Sequence, residues 1–261
     1  MSTSFYEPLG DEGRRWRATR HTTGPWDPRS QHGGPPSALL ARAAERTAPR
    51  DDVVVARVTV EILGAVPVGE VEVAARLARP GRSVELVEAV LRAGGRDVAR
   101  AAVWRVRRTE GVGVPSRTAA PPPPDALPAL EDLPPGWVDG YLSAVEWRIA
   151  AGGFVEPGPC TAWTRLRHPL VPDEEPSGLQ RVLAVADSGN GLSNELPMTW
   201  FFINPELTVH LHREPVGEWV CVDAVTAVSE HGCGLATTAL SDVEGPVGVG
   251  AQSLLVAPRP T

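Results

Sequence analysis

The chain contains no lysine; all 25 of its basic residues are arginine. Lysine Schiff-base chemistry and a P-loop lysine are thereby excluded. Cysteine is scarce as well. Cys160, Cys221 and Cys233 are an odd set of three with no Cys-x-x-Cys pair, so neither a disulfide framework nor a zinc site is expected. No apolar run reaches the ~18 residues of a membrane-spanning helix. The first residues, Met-Ser-Thr-Ser-Phe-Tyr-Glu, lack the basic and apolar regions of a secretory signal. Together these predict a cytoplasmic protein without a membrane partner. Positive charge is not in excess: the net charge is −7, against the basic footprint that nucleic-acid binding needs. No Gly-x-Ser-x-Gly nucleophile elbow occurs either.

What the chain does have is a repeat. Trp16-Arg-Ala-Thr-Arg-His21 returns as Trp163-Thr-Arg-Leu-Arg-His168. Thr59-Val60 and Pro67-Val68-Gly69-Glu70 return as Thr208-Val209 and Pro215-Val216-Gly217-Glu218. All three recur 147 to 149 residues later, the near-constant spacing of a duplicated domain. Between the copies lies a stretch holding Pro121-Pro122-Pro123-Pro124 and Pro134-Pro135. It can be neither helix nor central strand and reads as an extended linker. The expected organisation is an N-terminal domain over 1–113, a linker over 114–136 and a C-terminal domain over 137–261.

Each copy reads as a short strand, a buried helix and four strands. In the first, a strand over Trp16–Thr22 precedes a Gly/Pro loop ending His32-Gly33-Gly34-Pro35-Pro36. A helix over Ser37–Thr47 follows, rich in Ala and Leu and apolar nearly all round. Strands are predicted over 53–63, 71–77, 83–92 and 97–107, from β-branched content and alternation. In the second copy a strand covers 161–168, a helix Leu179–Asp187, and strands 198–211, 219–228, 234–242 and 247–256. A sheet that curls around an apolar helix leaves an open edge, and two such units can pair edges. The fold class expected is α+β, with two buried helices each wrapped by a mostly antiparallel sheet and the sheets joined edge to edge. Helix content should be roughly 15–25%, below the usual third.

Comparing the copies turns architecture into chemistry. Aligning the helices sets Asp187 against Ala44. Aligning Thr208 with Thr59 sets Asn204 against Val55. In the last strand Gln252 is set against Ala102. Three polar groups thus replace three apolar ones. A carboxylate and two amides can hold one water, with Asp187 as general base and Asn204 and Gln252 positioning it. The loop His32-Gly33-Gly34 precedes a helix N-terminus, whose backbone N–H groups suit a developing oxyanion. The matched His21 and His168 read as structural, and His210 and His212 lack a third ligand.

The His-Gly-Gly-Pro-Pro loop before the first helix, Ala186-Asp187 ending the second, Gln252 in the last strand and Val209-His-Leu-His-Arg213 together resemble the TesB-like acyl-CoA thioesterase II family. That resemblance covers most of the chain and implies a tandem double hotdog. It implies an acyl-CoA substrate, hydrolysis to free acid and CoA, and no cofactor or metal. A double hotdog can act alone or assemble as a homo-oligomer. The family places an Asp, a Thr or Ser, and a Gln around a nucleophilic water; these fall on Asp187, Asn204 and Gln252. Asn204 departs from the pattern, since an amide replaces the hydroxyl. Two alternatives stand beside this reading. Asp27-x4-His32 has the spacing of hotdog enoyl-CoA hydratases, and a drifted pocket would give a non-catalytic acyl-CoA-binding protein.

Overall fold

The computed structural model describes residues 3–10, 13–114, 121–131, 133, 139–197 and 199–259. The first copy forms β1 (Tyr6–Pro8), β2 (Arg15–Ala18), α1 (Gly34–Glu45), β3 (Val53–Ile62), β4 (Glu70–Arg79), β5 (Val84–Ala93) and β6 (Arg96–Arg107). The second forms β7 (Val145–Ala151), β8 (Cys160–Leu166), α2 (Gly178–Ala186), α3 (Gly189–Leu192), β9 (Trp200–Ile203), β10 (Glu206–Leu211), β11 (Val220–Val228), β12 (Cys233–Asp242) and β13 (Gly245–Pro258). No helix among the described residues is long and apolar enough to cross a membrane.

One antiparallel sheet of 13 strands runs β1-β2-β4-β5-β6-β3-β10-β13-β12-β11-β8-β7, with β9 paired to the far end of β13. The two halves mirror each other about the β3–β10 seam. There Thr59 lies opposite Thr208, and their hydroxyls are 3.2 Å apart. Matched residues meet again where the His21 and His168 rings stack at 4.0 Å. Matching residues that touch are the signature of a local two-fold. The predicted double hotdog, with sheets joined edge to edge, is the fold observed.

The helices lie inside the curl of the sheet, against one another and in opposite senses. Pro35 and Pro36 sit in the first turn of α1, where a missing N–H costs nothing. Ser177 caps α2 by accepting from Gln180 N–H. Leu39, Leu40, Ala41, Val182, Leu183 and Val185 are buried in one shared core. Each fully buried Leu or Val contributes about 1.5–3 kcal/mol. At Gly34 a Cβ would lie 2.0 Å from Ala184 O, so the close helix crossing requires glycine there.

Several expectations need correction. The strand expected over 198–211 is two strands, broken at Asn204-Pro205 because proline has no N–H for the ladder; Met198 lies outside the described residues. The strand expected over 16–22 ends at Ala18 and continues as a 3-10 turn over Arg20–Thr22. Among the described residues three α-helices hold 12, 9 and 4 residues, about a tenth of the chain and below the roughly 15–25% expected; the two helices expected, over 37–47 and 179–187, were themselves too short to reach that share. The strand register also moves one match. Thr59 pairs with Ala102 and Thr208 with Ala251, so Gln252 stands where Val103 stands, not Ala102. A one-residue slip changes the face of the sheet: Ala102 looks outward, whereas Val103 and Gln252 are both buried inward.

Of the Pro-rich stretch, 115–120, 132 and 134–136 lie outside the described residues. The remainder is strapped to the second half. Trp163 donates its Nε1–H to Pro122 O at 2.6 Å, Arg148 bonds the Pro124 carbonyl at 2.9 Å, and Leu130 N–H bonds Trp147 O at 2.8 Å. Trp163 forms a separate cluster with Trp219 and Cys221, against Leu127, while its repeat partner Trp16 belongs to the main core.

Candidate functional site

Asp187 follows the last turn of α2 and is 4% exposed. Its Oδ1 accepts two amide bonds, from Asn204 Nδ2 at 2.7 Å and from Gln252 Nε2 at 3.2 Å. Gln252 also donates to the Asp187 backbone carbonyl at 3.1 Å, and its Oε1 accepts from Asn190 N–H at 3.2 Å. The break at Asn204-Pro205 turns Asn204 toward the helix end, and the inward face of β13 delivers Gln252. The structure therefore brings together the three residues singled out by comparing the copies.

The other carboxylate oxygen, Oδ2, faces the first copy. A Cβ on Gly33 would lie 2.6 Å from Oδ2 and 2.9 Å from Cγ, so the Gly33 backbone is pressed against the carboxylate. Gly33 is the N-cap of α1, and the positive end of that helix dipole lies beside the acid. Gly33 N–H has no acceptor among the described residues, whereas Gly34 N–H donates to His32 Nδ1 at 3.0 Å. His32 Nδ1 lies 3.3 Å from Asp187 Oδ2. One nitrogen lone pair cannot accept from Gly34 and carry a proton at the same time. Burial pushes the His32 pKa below its ordinary value, with Asp187 pulling the other way. The ring is accordingly neutral, with its proton on Nε2, and the 3.3 Å approach is not an ion pair.

Tyr141 completes this wall. Its ring stacks on His32 at 3.8 Å and 10°, and its hydroxyl donates to Ala184 O at 2.8 Å and lies 3.0 Å from Ser188 Oγ. Burial raises its pKa well above the ordinary phenol value, so it stays a neutral donor. Nothing in the sequence pointed to Tyr141, which stands outside the repeated motifs. Asn190 was missed as well, because it acts through its backbone N–H and through an amide bond to Phe202 O at 2.9 Å.

Asp27 does not join the site. Its carboxylate is held by Arg29, at 2.9 Å from Nη2 and 3.1 Å from Nε, and His32 has Asp187 as its acid neighbour instead. A pocket of about 40 Å³ adjoins the site, lined by His32, Ser188 and Asn190 together with Trp26, Leu142, Phe154 and Phe202. A larger groove, of about 530 Å³, lies on the outer face of β3–β6 among Arg76, Glu88 and Arg100, away from Asp187. The arrangement at Asp187 can bind a water, remove its proton and meet a negative charge with a helix N-terminus.

Comparison with known proteins adds two kinds of finding. Residues 22–106 match the model of the acyl-CoA thioesterase N-terminal domain, and residues 119–256 match that of the acyl-CoA thioesterase C-terminal domain. A hot-dog-fold protein from Alicyclobacillus acidocaldarius is 16% identical, with 97% of each chain covered and a TM-score of 0.74. A tesB protein of Mycobacterium avium is 19% identical over 97% of this chain and 96% of its own, with a TM-score of 0.68. An acyl-CoA thioesterase II of Mycobacterium marinum is 17% identical, covers 97% and 96%, and has a TM-score of 0.65. At these identities the solved structures speak for the fold. No functionally curated protein matches the chain in sequence.

Proposed function

The chain belongs to the acyl-CoA thioesterase family and is a thioester hydrolase, and on that premise we propose that it hydrolyses an acyl-CoA at one site per chain, with Asp187 as the general base. The observation that carries this reading is the division of labour between the two oxygens of one buried carboxylate. Oδ1 is held by two amide N–H groups, which fix its orientation. Oδ2 is left facing Gly33 and the neutral His32.

A water bound at Oδ2 loses a proton to it as its oxygen attacks the thioester carbonyl carbon. The carbonyl oxygen becomes an oxyanion, and the Gly33 N–H at the N-terminus of α1 is the donor assigned to it. His32 holds Gly34 N–H and keeps this turn in shape. When the tetrahedral intermediate collapses, the carbon–sulfur bond breaks and the thiolate takes the proton back from Asp187. The products are the free acid and CoA. Asn204 serves in place of a hydroxyl: its amide orients the carboxylate, as the 2.7 Å bond permits. The acyl-CoA substrate is the class the family implies. Asp27 bound to Arg29 leaves hydration without its acid–base pair.

The test is CoA release from an acyl-CoA panel. Asp187→Asn is expected to lose 10²- to 10⁴-fold in kcat/KM, the usual worth of a general base, with its melting temperature unchanged. Undiminished turnover by that variant overturns the assignment.

A further inference from the structure

We propose that the acyl group this site accepts is short and that Trp26 sets the limit. The inference rests on the thioesterase reading and names its substrate class. The pocket beside Asp187 has a volume of about 40 Å³. That is well below the roughly 300–1,000 Å³ of a pocket that encloses a drug-sized ligand.

Three of its walls are fixed from behind. The Phe154 ring meets Trp147 edge-on at 5.0 Å and 81°, and Asn194 holds the Phe154 carbonyl at 3.0 Å. Trp147 in turn donates its Nε1–H to Leu142 O at 2.8 Å, which fixes the Leu142 backbone. Phe202 lies on β9 in a cluster with Leu254 and Val256, and Asn190 holds its carbonyl. Close-packed walls of this kind do not part to admit a chain without a cost in packing.

Trp26 is the exception. It stands on the loop before α1, half-buried against the edge of the Phe202 cluster, with Phe202 at 5.4 Å, Phe201 at 6.4 Å and the Arg259 guanidinium at 4.6 Å over its face. Arg259 Nε and Nη2 are buried and make no hydrogen bond among the described residues, where the guanidinium has its aromatic contacts. Trp26 is thus a half-buried wall carried on a loop, where Leu142, Phe154 and Phe202 are buried in the core. A longer acyl chain has to displace it, and a short one does not.

The experiment compares kcat/KM for acetyl-, butyryl-, hexanoyl- and decanoyl-CoA in wild type, Trp26→Ala and Trp26→Leu. Wild type is expected to lose at least tenfold between butyryl and decanoyl. Both variants should raise the decanoyl-to-butyryl ratio at least tenfold. Arg259→Met, which loosens Trp26 without shortening it, should move that ratio in the same direction. Wild-type turnover of decanoyl-CoA equal to or above that of butyryl-CoA overturns the chain-length inference and leaves the hydrolase reading intact. An unchanged ratio in all three folded variants overturns the role of Trp26. Failure of folded wild type to cleave any of the four overturns the thioesterase reading, and this inference with it.

Discussion

Gly33 shows how a residue without a side chain can decide the chemistry of one that has it. Its φ of −67° is open to any residue, so its need is for space. A Cβ would sit within 2.9 Å of all three carboxylate atoms of Asp187. Gly33→Ala must therefore push the carboxylate off its two amide donors. A displacement near 1 Å can cost about 10²-fold in rate, so kcat should fall by about that factor, with little change in melting temperature; wild-type kcat in the variant would show that the acid tolerates movement. His32 supplies the pH dependence. Its pKa in the fold lies below the ordinary value because it is buried, so the unfolded chain binds the proton more readily. Its contribution to stability is complete above the unfolded value, near 6.5, and is lost as pH falls through the folded one. His168 shifts the same way, by burial and by its neighbour His21. Thermal melts at pH 7.5 and 5.5 should show a loss of stability that is smaller in His32→Gln than in wild type; an equal loss would place the titration elsewhere. Asp187, Asn204 and Gln252 were legible in the sequence because each is polar where the other copy is apolar. Tyr141 was not, since its role depends on a stack and a carbonyl that meet only in the fold.

The helix ends carry a second carboxylate that aligning Asp187 with Ala44 had hidden. Glu45 closes the last turn of α1 and meets the first turn of α2, accepting from Ser177 Oγ and Gln180 Nε2, both at 2.7 Å. Because α1 and α2 run in opposite senses, this is the counterpart of Asp187 against Gly33. The asymmetry between the copies is thus one of surroundings as well as of acids. The β3 and β6 positions matching Asn204 and Gln252 are Val55 and Val103, and Glu45 faces a serine and a glutamine where Asp187 faces glycine. Burial raises the Glu45 pKa, opposed by its bonds to Gln180 and Ser177. A folded value above the unfolded one means its stabilising contribution is complete below the unfolded value and lost as pH rises through the folded one. At neutral pH the ionised acid is therefore a cost. Nearby, Gln180 Oε1 is buried without a partner among the described residues. Glu45→Gln removes the charge and offers that oxygen an N–H, for a gain of about 1 kcal/mol, or roughly 2–4 °C in melting temperature at this size. A lower melting temperature at pH 7 would contradict this account. Strand faces were legible from alternation, but the register that moved Gln252 from Ala102 to Val103 was not, because alternation fixes a face only once the pairing is known.

At the scale of the whole molecule, the repeat sets where the proposed site lies. Its two halves meet on a seam where Thr59 faces Thr208 and His21 stacks on His168, and the site joins Asp187 of one half to Gly33 of the other. The repeat was legible because matched residues sit on or near the local two-fold, where both copies face the same neighbour. Where they do not, the match misleads, as with Trp16 in the core and Trp163 under the Pro-rich strap. Neither half holds both sides of the proposed site, and neither can cover its seam alone. A separated first half bares the edge of β3 and the face of α1, and a separated second half bares β10 and α2; open edges and apolar faces of that kind aggregate. The covalent link itself adds only an effective concentration. A chain cut between residues 115 and 120 and produced as two co-expressed pieces should therefore assemble and hydrolyse acyl-CoA, while either piece alone should aggregate and release no CoA. Turnover by the second piece by itself would show that the Gly33 turn is dispensable, and with it the shared-site geometry on which the mechanism depends.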